Sequence, residues 1–320
     1  MKRKFDVAIV GAGLAGQSCA LVTARGLLDV AIFGANNSQN NNFETHNFIT
    51  NDGLTKKSIL SKGLSDLKKY SNINIYSDPV IKVSVTMNGY LIFTEEGVAI
   101  EAEKVVFAMG NNFDFDSTKI EGLKKVWGTS AFSCAYCHAY ELKGKPISII
   151  AQTESDIHFI KLLRRWSTDI KIFIHAEEHI NIEQMIYRNI PEPKIYNKKI
   201  KSIESCEGQI TSLVLEDGKR VASDALFISD IDTRTNIIID SIYNSTTFNS
   251  QLNRNLYKTD PYGRTDMKNI FIIGDSRTRF STLVGVVFRN LCHFSNIKKI
   301  GMTHDSIFRL QQSISRTSIR

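Results

Sequence analysis

The stretch "FSCAYCHAYEL" at 132–142 carries two cysteines three apart, a histidine directly after the second, and a glutamate three residues further on. At this spacing Cys134 and Cys137 can close a reversible bridge, and a helix beginning there would lower a thiol pKa. "CAYCH" also meets the Cys-x-x-Cys-His pattern of covalent haem attachment. Half of a zinc site is a third reading, although no second ligand pair stands at zinc-like spacing. Two packed cysteines without chemistry are the fourth. His138 can take a thiol proton near neutral pH and a carboxylate such as Glu141 can hold its tautomer, against the plainer readings of a surface histidine and a solvated glutamate.

A second constellation is "GAGLAG" at 11–16, which fits G-x-G-x-x-G through Gly11, Gly13 and Gly16. The pattern has meaning only between a strand and a helix. Gly11 then permits the tight turn, Gly13 lets backbone approach a pyrophosphate, and Gly16 lets helix pack on strand. The helix N-terminus adds free N–H groups and partial positive charge.

The flanking elements supply that context. "FDVAIV" (5–10) is a short apolar run with β-branched residues and predicts a buried strand. A helical segment runs to about Gly26, and "DVAIF" (29–33) is the next strand. The polar, Asn-rich 36–47 predicts a loop, and 55–70 has amphipathic helical spacing. Strands follow at 73–77, 80–86 and 90–94, with "NG" at 88–89 as a hairpin turn, then "KVVFAMG" (104–110). A second strand–helix–strand unit spans 146–151, 154–166 and 169–174. A hairpin with a "DG" turn occupies 209–221. The strands "ALFISD" (225–230) and "NIFIIGD" (269–275) come next, then a helix-like 282–294 and a polar tail.

The bulk numbers agree with a two-domain intracellular protein. The chain has 320 residues, enough for two domains of ~100–200. Hydrophobic residues make up 42% and charged residues 23%, so a sizeable core can form. The net charge of +7 comes without a dense basic run, which argues against nucleic acid as a partner. No apolar run reaches the ~18–20 residues of a membrane span. Five cysteines, an odd number in a long chain, argue against a secreted disulfide framework and for a reducing, cytoplasmic setting. The basic start before an apolar stretch is explained by the glycine motif rather than by a signal peptide.

The order of these motifs resembles the low-molecular-weight thioredoxin reductase group of flavoproteins. "HNFITNDG" (46–53) and "WGTSAFSCAYCHAYELKGKPISII" (127–150) are similar to its Cys-x-x-Cys-His-x-Tyr-Glu branch, the dithiol oxidases of the gliotoxin and holomycin type. The resemblance implies an α/β fold of two Rossmann-like, three-layer ββα nucleotide-binding domains, the second inserted into the first. It divides the chain into an FAD-binding part at 1–114, an inserted NADPH-domain-like region with the cysteines at 115–240, and the second FAD-binding part with the tail at 241–320. It implies FAD, held by Gly11, Gly13, Gly16, Gly110, Gly274 and Asp275, and a homodimer. It also implies a disulfide at Cys134 and Cys137 with Cys137 on the flavin side, His138 as acid–base and Glu141 orienting it, and no metal.

Two departures stand out. Gly34 or Ala35 stands where a ribose-binding carboxylate is expected after the second strand, leaving Asn36 and Asn37 to hydrogen-bond instead. The turn "AQTESD" (151–156) replaces the small residues of a second glycine motif with Ala151, Thr153 and Asp156, and "HAEEH" (175–179) offers glutamates where a 2′-phosphate wants arginines. Thr153 then obstructs backbone approach, while Glu154 and Asp156 put negative charge at the mouth of the phosphate site. These features predict an oxidase that takes electrons from a small-molecule or peptide dithiol and gives them to oxygen. A disulfide reductase fed by ferredoxin or NADPH, and a flavin-binding protein without turnover, are the alternatives.

Overall fold

The structure is a computed structural model, and it describes residues 4–34, 44–176, 179–229, 231–234, 236–249 and 254–277. Contacts divide the chain into two compact units. One comprises Met1–Ser38, Leu60–Gly110 and Asn236–Arg320; the other comprises Gln39–Ile59 and Asn111–Thr235. Both are α/β with a central parallel sheet, the arrangement of a pair of Rossmann-type domains.

In the first unit, strands Ile73–Tyr76, Val30–Phe33, Lys4–Val10 and Ala99–Phe107 lie side by side in parallel. Val30–Phe33 is buried along its whole length, as expected of a strand covered on both faces. Ala99–Phe107 has two partners along its length. Its first half pairs antiparallel with Gly89–Thr94, which returns as Val80–Thr86 through the predicted hairpin. Its second half pairs parallel with Ile270–Ile272. The helix Leu14–Arg25 packs on one face through Cys19, Ala20 and Ala24 against Val7, Ile9, Val30 and Ile32. On the other face Val83, Tyr90, Ile92 and Tyr243 meet Ala8, Val10 and Val105.

The second unit repeats the plan. Its sheet runs Ala131–Phe132, Ala225–Ile228, Ile147–Ala151, Ile170–Ile174, Lys194–Tyr196, all in parallel. Helices Ser155–Leu163 and His179–Asn189 close one face through Ile157, Ile160, Leu163, Ile182 and Ile186. A three-stranded antiparallel sheet of Ile200–Cys206, Gln209–Leu215 and Arg220–Val221 closes the other. The predicted helix at 282–294, and Asn36, Asn37, Glu177 and Glu178, lie outside the described residues.

Candidate functional site

The first unit brings its predicted residues to one edge. Val10 is level with Phe33 and with Phe107, so all three strands end together. Gly11 turns there at φ +109°, and a Cβ on it would stand 2.3 Å from the Ala108 carbonyl oxygen. A Cβ on Gly16 would stand 1.9 Å from the Gly11 carbonyl oxygen, so helix and turn touch as backbone. Gly13 differs: a Cβ there would meet nothing within 4 Å among the described residues. The helix that follows has no side-chain cap and no acidic residue in its first turn. Gln17 braces the turn from within by donating from Nε2 to the Ala12 carbonyl at 3.0 Å.

Gly274 joins this edge, since a Cβ on it would lie 2.8 Å from that of Ala15. Ser276 ties the same stretch to the other strand end by donating to the Gly110 carbonyl at 2.9 Å. Asp275 sits between them, exposed, in the 3-10 turn Gly274–Ser276. The six residues are therefore gathered at the ends of three neighbouring strands. Two glycines are required by protein backbone, and a third faces open space beside an uncapped helix end. That is a cradle suited to a phosphate-bearing group such as FAD.

The second strand–turn–helix is filled by its own side chain. Asp156, 1% exposed, accepts from the backbone N–H groups of Gln152 and Thr153, both at 2.8 Å. The Thr153 hydroxyl reaches the same oxygen at 3.3 Å, and Ser229 donates to the other carboxylate oxygen. This carboxylate lies inside the turn, not at its mouth as the sequence suggests; Glu154 stays exposed. Two of the N–H groups such a turn would offer to a phosphate, those of Gln152 and Thr153, are satisfied by Asp156.

The cysteines lie elsewhere in this unit. Strand Ala131–Phe132 leads to Cys134 in extended conformation, and a one-turn helix, Ala135–His138, starts directly after it. Ala135 and Ala139, four apart, are buried in the core, so Tyr136 and Tyr140 face outward. Cys134 and Cys137 are bonded as a disulfide with Cα atoms 5.3 Å apart. The His138 ring stacks on Phe132 with centroids 4.1 Å apart. Burial pushes its pKa down to about 4, Glu141's charge pulls it back up, and His46's charge adds to the lowering. His138 is thus a neutral imidazole at pH 7, able to accept a proton.

Glu141 is engaged in a way the sequence does not predict. Its Oε1 lies 3.5 Å from Nε2 of His46, whose Nδ1 lies 3.6 Å from Asp52 and whose Nε2 lies 4.0 Å from Glu44. The 44–59 segment is pinned to the cysteine helix by Asn47, whose Nδ2 donates to the Tyr136 carbonyl at 2.9 Å. "HNFITNDG" holds His46, Asn47 and Asp52, but sequence similarity gives them no role; only the docking of a distant loop does.

Two other cysteines are described. Cys19 is buried, and burial pushes its thiol up to about 12; Cys206 is free and exposed. Among the described residues, no group of three or more His, Cys, Asp or Glu is placed to hold a metal ion, and no helix is long and apolar enough to cross a membrane.

Residues 5–155 match the family profile for pyridine nucleotide-disulphide oxidoreductases. The thioredoxin reductase of Bacillus subtilis strain 168 is 24% identical over 224 residues, covering 67% of this chain and 68% of its own. Thioredoxin reductase sirT of Leptosphaeria maculans is 23% identical over 303 residues, 88% of this chain and 90% of its own. Among solved structures, one from Bacillus anthracis that carries the name thioredoxin reductase TrxB superposes with TM-score 0.79 at 26% identity, covering 93% of this chain and all of that one. HlmI has the same fold, with TM-score 0.77, 19% identity and 98% of each chain covered. In its buried parallel sheets, glycine turn and bonded Cys-x-x-Cys, the chain is similar to the thioredoxin reductase-like pyridine nucleotide-disulphide oxidoreductases.

Proposed function

We propose that the protein is an FAD-dependent dithiol oxidase that closes a disulfide in a small-molecule or peptide dithiol and passes the electrons to oxygen. The observation that carries this direction of flow is Asp156. Its carboxylate already satisfies Gln152 N–H and Thr153 N–H in the second turn. A nicotinamide pyrophosphate would have to displace a buried, fourfold-bonded anion and bring its own charge against it. Without a nicotinamide donor, electrons enter from a dithiol.

The overall change balances as R(SH)₂ + O₂ → RS₂ + H₂O₂. Bound FAD supplies the two-electron exchange between the active disulfide and oxygen. The chain's residues manage thiols and protons. One substrate thiol, deprotonated, attacks a sulfur of the Cys134–Cys137 bridge and releases the other cysteine as thiolate; the second substrate thiol then displaces the mixed disulfide. His138, neutral at physiological pH because of its burial, takes the thiol proton, and Glu141 steadies the imidazolium that results.

Anaerobic stopped-flow mixing tests this. A dithiol such as dithiothreitol should bleach the flavin band rapidly, millimolar NADPH or NADH should not, and readmitted oxygen should restore the band with one peroxide per dithiol. Rapid bleaching by NADPH would return the protein to the reductases. His138→Ala should slow dithiol turnover by roughly 10²–10⁴-fold with flavin still bound. In the wild type, kcat/KM against pH should show no limb near the ordinary histidine value of about 6.5, since His138 titrates near 4. A limb at that ordinary value would assign the proton to another group.

A further inference from the structure

We propose that His46 is a positioning residue of the disulfide site: its imidazole bridges Asp52 to Glu141 and so fixes where the Glu141 carboxylate stands. This rests on the reading of His138 as the base beside the bridge. The geometry stands without it. The His46 side chain is 18% exposed and is set between carboxylates on two sides, Asp52 at 3.6 Å from Nδ1 and Glu141 at 3.5 Å from Nε2. Glu44 completes the surround at 4.0 Å.

The loop around His46 is built to hold that position. Asn47 and Thr50 adopt positive φ of 67° and 73°, and Gly53 one of 74°. Asn47 N–H donates to Asp52 Oδ1 at 2.7 Å, so Asp52 is fixed on one oxygen and offers the other to His46. Asn47 Nδ2 in turn fastens the loop to the carbonyl of Tyr136, which lies between the two cysteines. A movement of the cysteine helix is therefore felt at His46, and the place of His46 is felt at Glu141.

The consequence is a pair of opposed charges acting on His138. Glu141 favours a proton on His138, while a charged His46 opposes it; Glu141 and His46 act on His138 with opposite signs. Removing the His46 charge should therefore let His138 hold its proton to higher pH. Removing the Glu141 charge should do the reverse. A loop histidine with a merely structural role predicts no such pair of opposed shifts.

The test is a titration of the histidine ring carbons by NMR in ¹³C-labelled, FAD-loaded protein, with the His138 signal assigned by its loss in His138→Gln. His46→Gln should move the His138 midpoint up by about half a unit, roughly threefold in proton affinity, and Glu141→Gln should move it down. His46→Asn is the second neutral replacement, should His46→Gln fail to fold, and carries the same expected sign. A His138 midpoint that stays put in the neutral His46 variants, or moves the way it does in Glu141→Gln, overturns the proposal. Because the titration needs no turnover, a protein that fails to oxidise dithiols but shows the opposed shifts sinks the oxidase reading and leaves His46 where we place it.

Discussion

The two strand–turn–helix corners of this chain start alike and end opposite in charge. Each follows a buried parallel strand, Lys4–Val10 in one unit and Ile147–Ala151 in the other. At 11–16 glycines let backbone meet backbone at Gly11 and Gly16, and the helix end has no side-chain cap among the described residues. At 151–156 a carboxylate has been folded into the same place and takes two backbone N–H groups and two hydroxyls. One corner is receptive to an anion because no side chain among the described residues caps its helix end. The other has its anion built in. A shared fold thus says little about what a domain binds; the residues at the turn decide it.

The sharpest way to break the first corner is Gly16→Ala. The added methyl would stand 1.9 Å from a backbone oxygen that cannot rotate away. The helix must lift from the strand, so we expect a loss of ~1–3 kcal/mol or more in denaturant unfolding and a colourless protein. A yellow, equally stable Gly16→Ala would show that the close contact is not needed.

Asp156→Ala attacks the second corner. It leaves two backbone N–H groups and the Ser229 hydroxyl without their acceptor, at a cost of about 1–3 kcal/mol for each group that water does not rescue. Flavin content should stay unchanged, because the substitution lies in the other unit. Urea melts read alongside flavin absorbance check both halves of this expectation, and loss of flavin together with stability would undo the separation of roles.

Gly13→Ala is gentler and more telling. No described residue lies within 4 Å of the new methyl, and the backbone there has φ −70°. Stability without flavin should change by no more than about 0.5 kcal/mol. Affinity for FAD should nevertheless fall by about tenfold, ~1.4 kcal/mol, measured by titrating the apoprotein. Unchanged affinity would mean that the open space above Gly13 is not where the phosphates sit.

Much of this was legible in the sequence, and the parts that were not share a cause. Apolar runs such as "VAIF" and "ISIIA" mark strands because a buried parallel strand has no other composition, and "GAGLAG" marks a turn because only glycine tolerates the approaches at Gly11 and Gly16. Local rules do not reach partners far along the chain. The pairing of Asn112–Phe113 with Thr233–Arg234 joins residues about 120 apart and leaves no periodic trace. Residues 44–59 group by contact with the second unit although they precede most of the first, so the approach of His46 to Glu141 could not be read. Asp156 shows the same limit at short range. Its charge was plain, but whether a carboxylate repels from the mouth of a turn or fills it depends on one rotamer and on Ser229, which lies 73 residues away.

The smallest expected effect separates the two obstacles to a nicotinamide in the second corner. Thr153 carries a branched side chain where a phosphate-binding turn wants glycine, and Asp156 occupies the N–H groups; sequence alone gives both equal weight. The structure puts Thr153 at the surface, with its hydroxyl shared between Ser155 at 2.7 Å and Asp156 at 3.3 Å. Thr153→Gly clears the steric obstacle and leaves the two backbone bonds and the Ser229 bond to Asp156 in place. We therefore expect no gain in the rate of flavin reduction by NADPH, and a stability change near the ~1 kcal/mol that a lost hydroxyl bond and an added glycine together allow. The measurement is anaerobic stopped-flow at millimolar NADPH, wild type beside variant. A tenfold faster bleaching in Thr153→Gly would mean that the branched methyl, and not the internal carboxylate, keeps the nucleotide out.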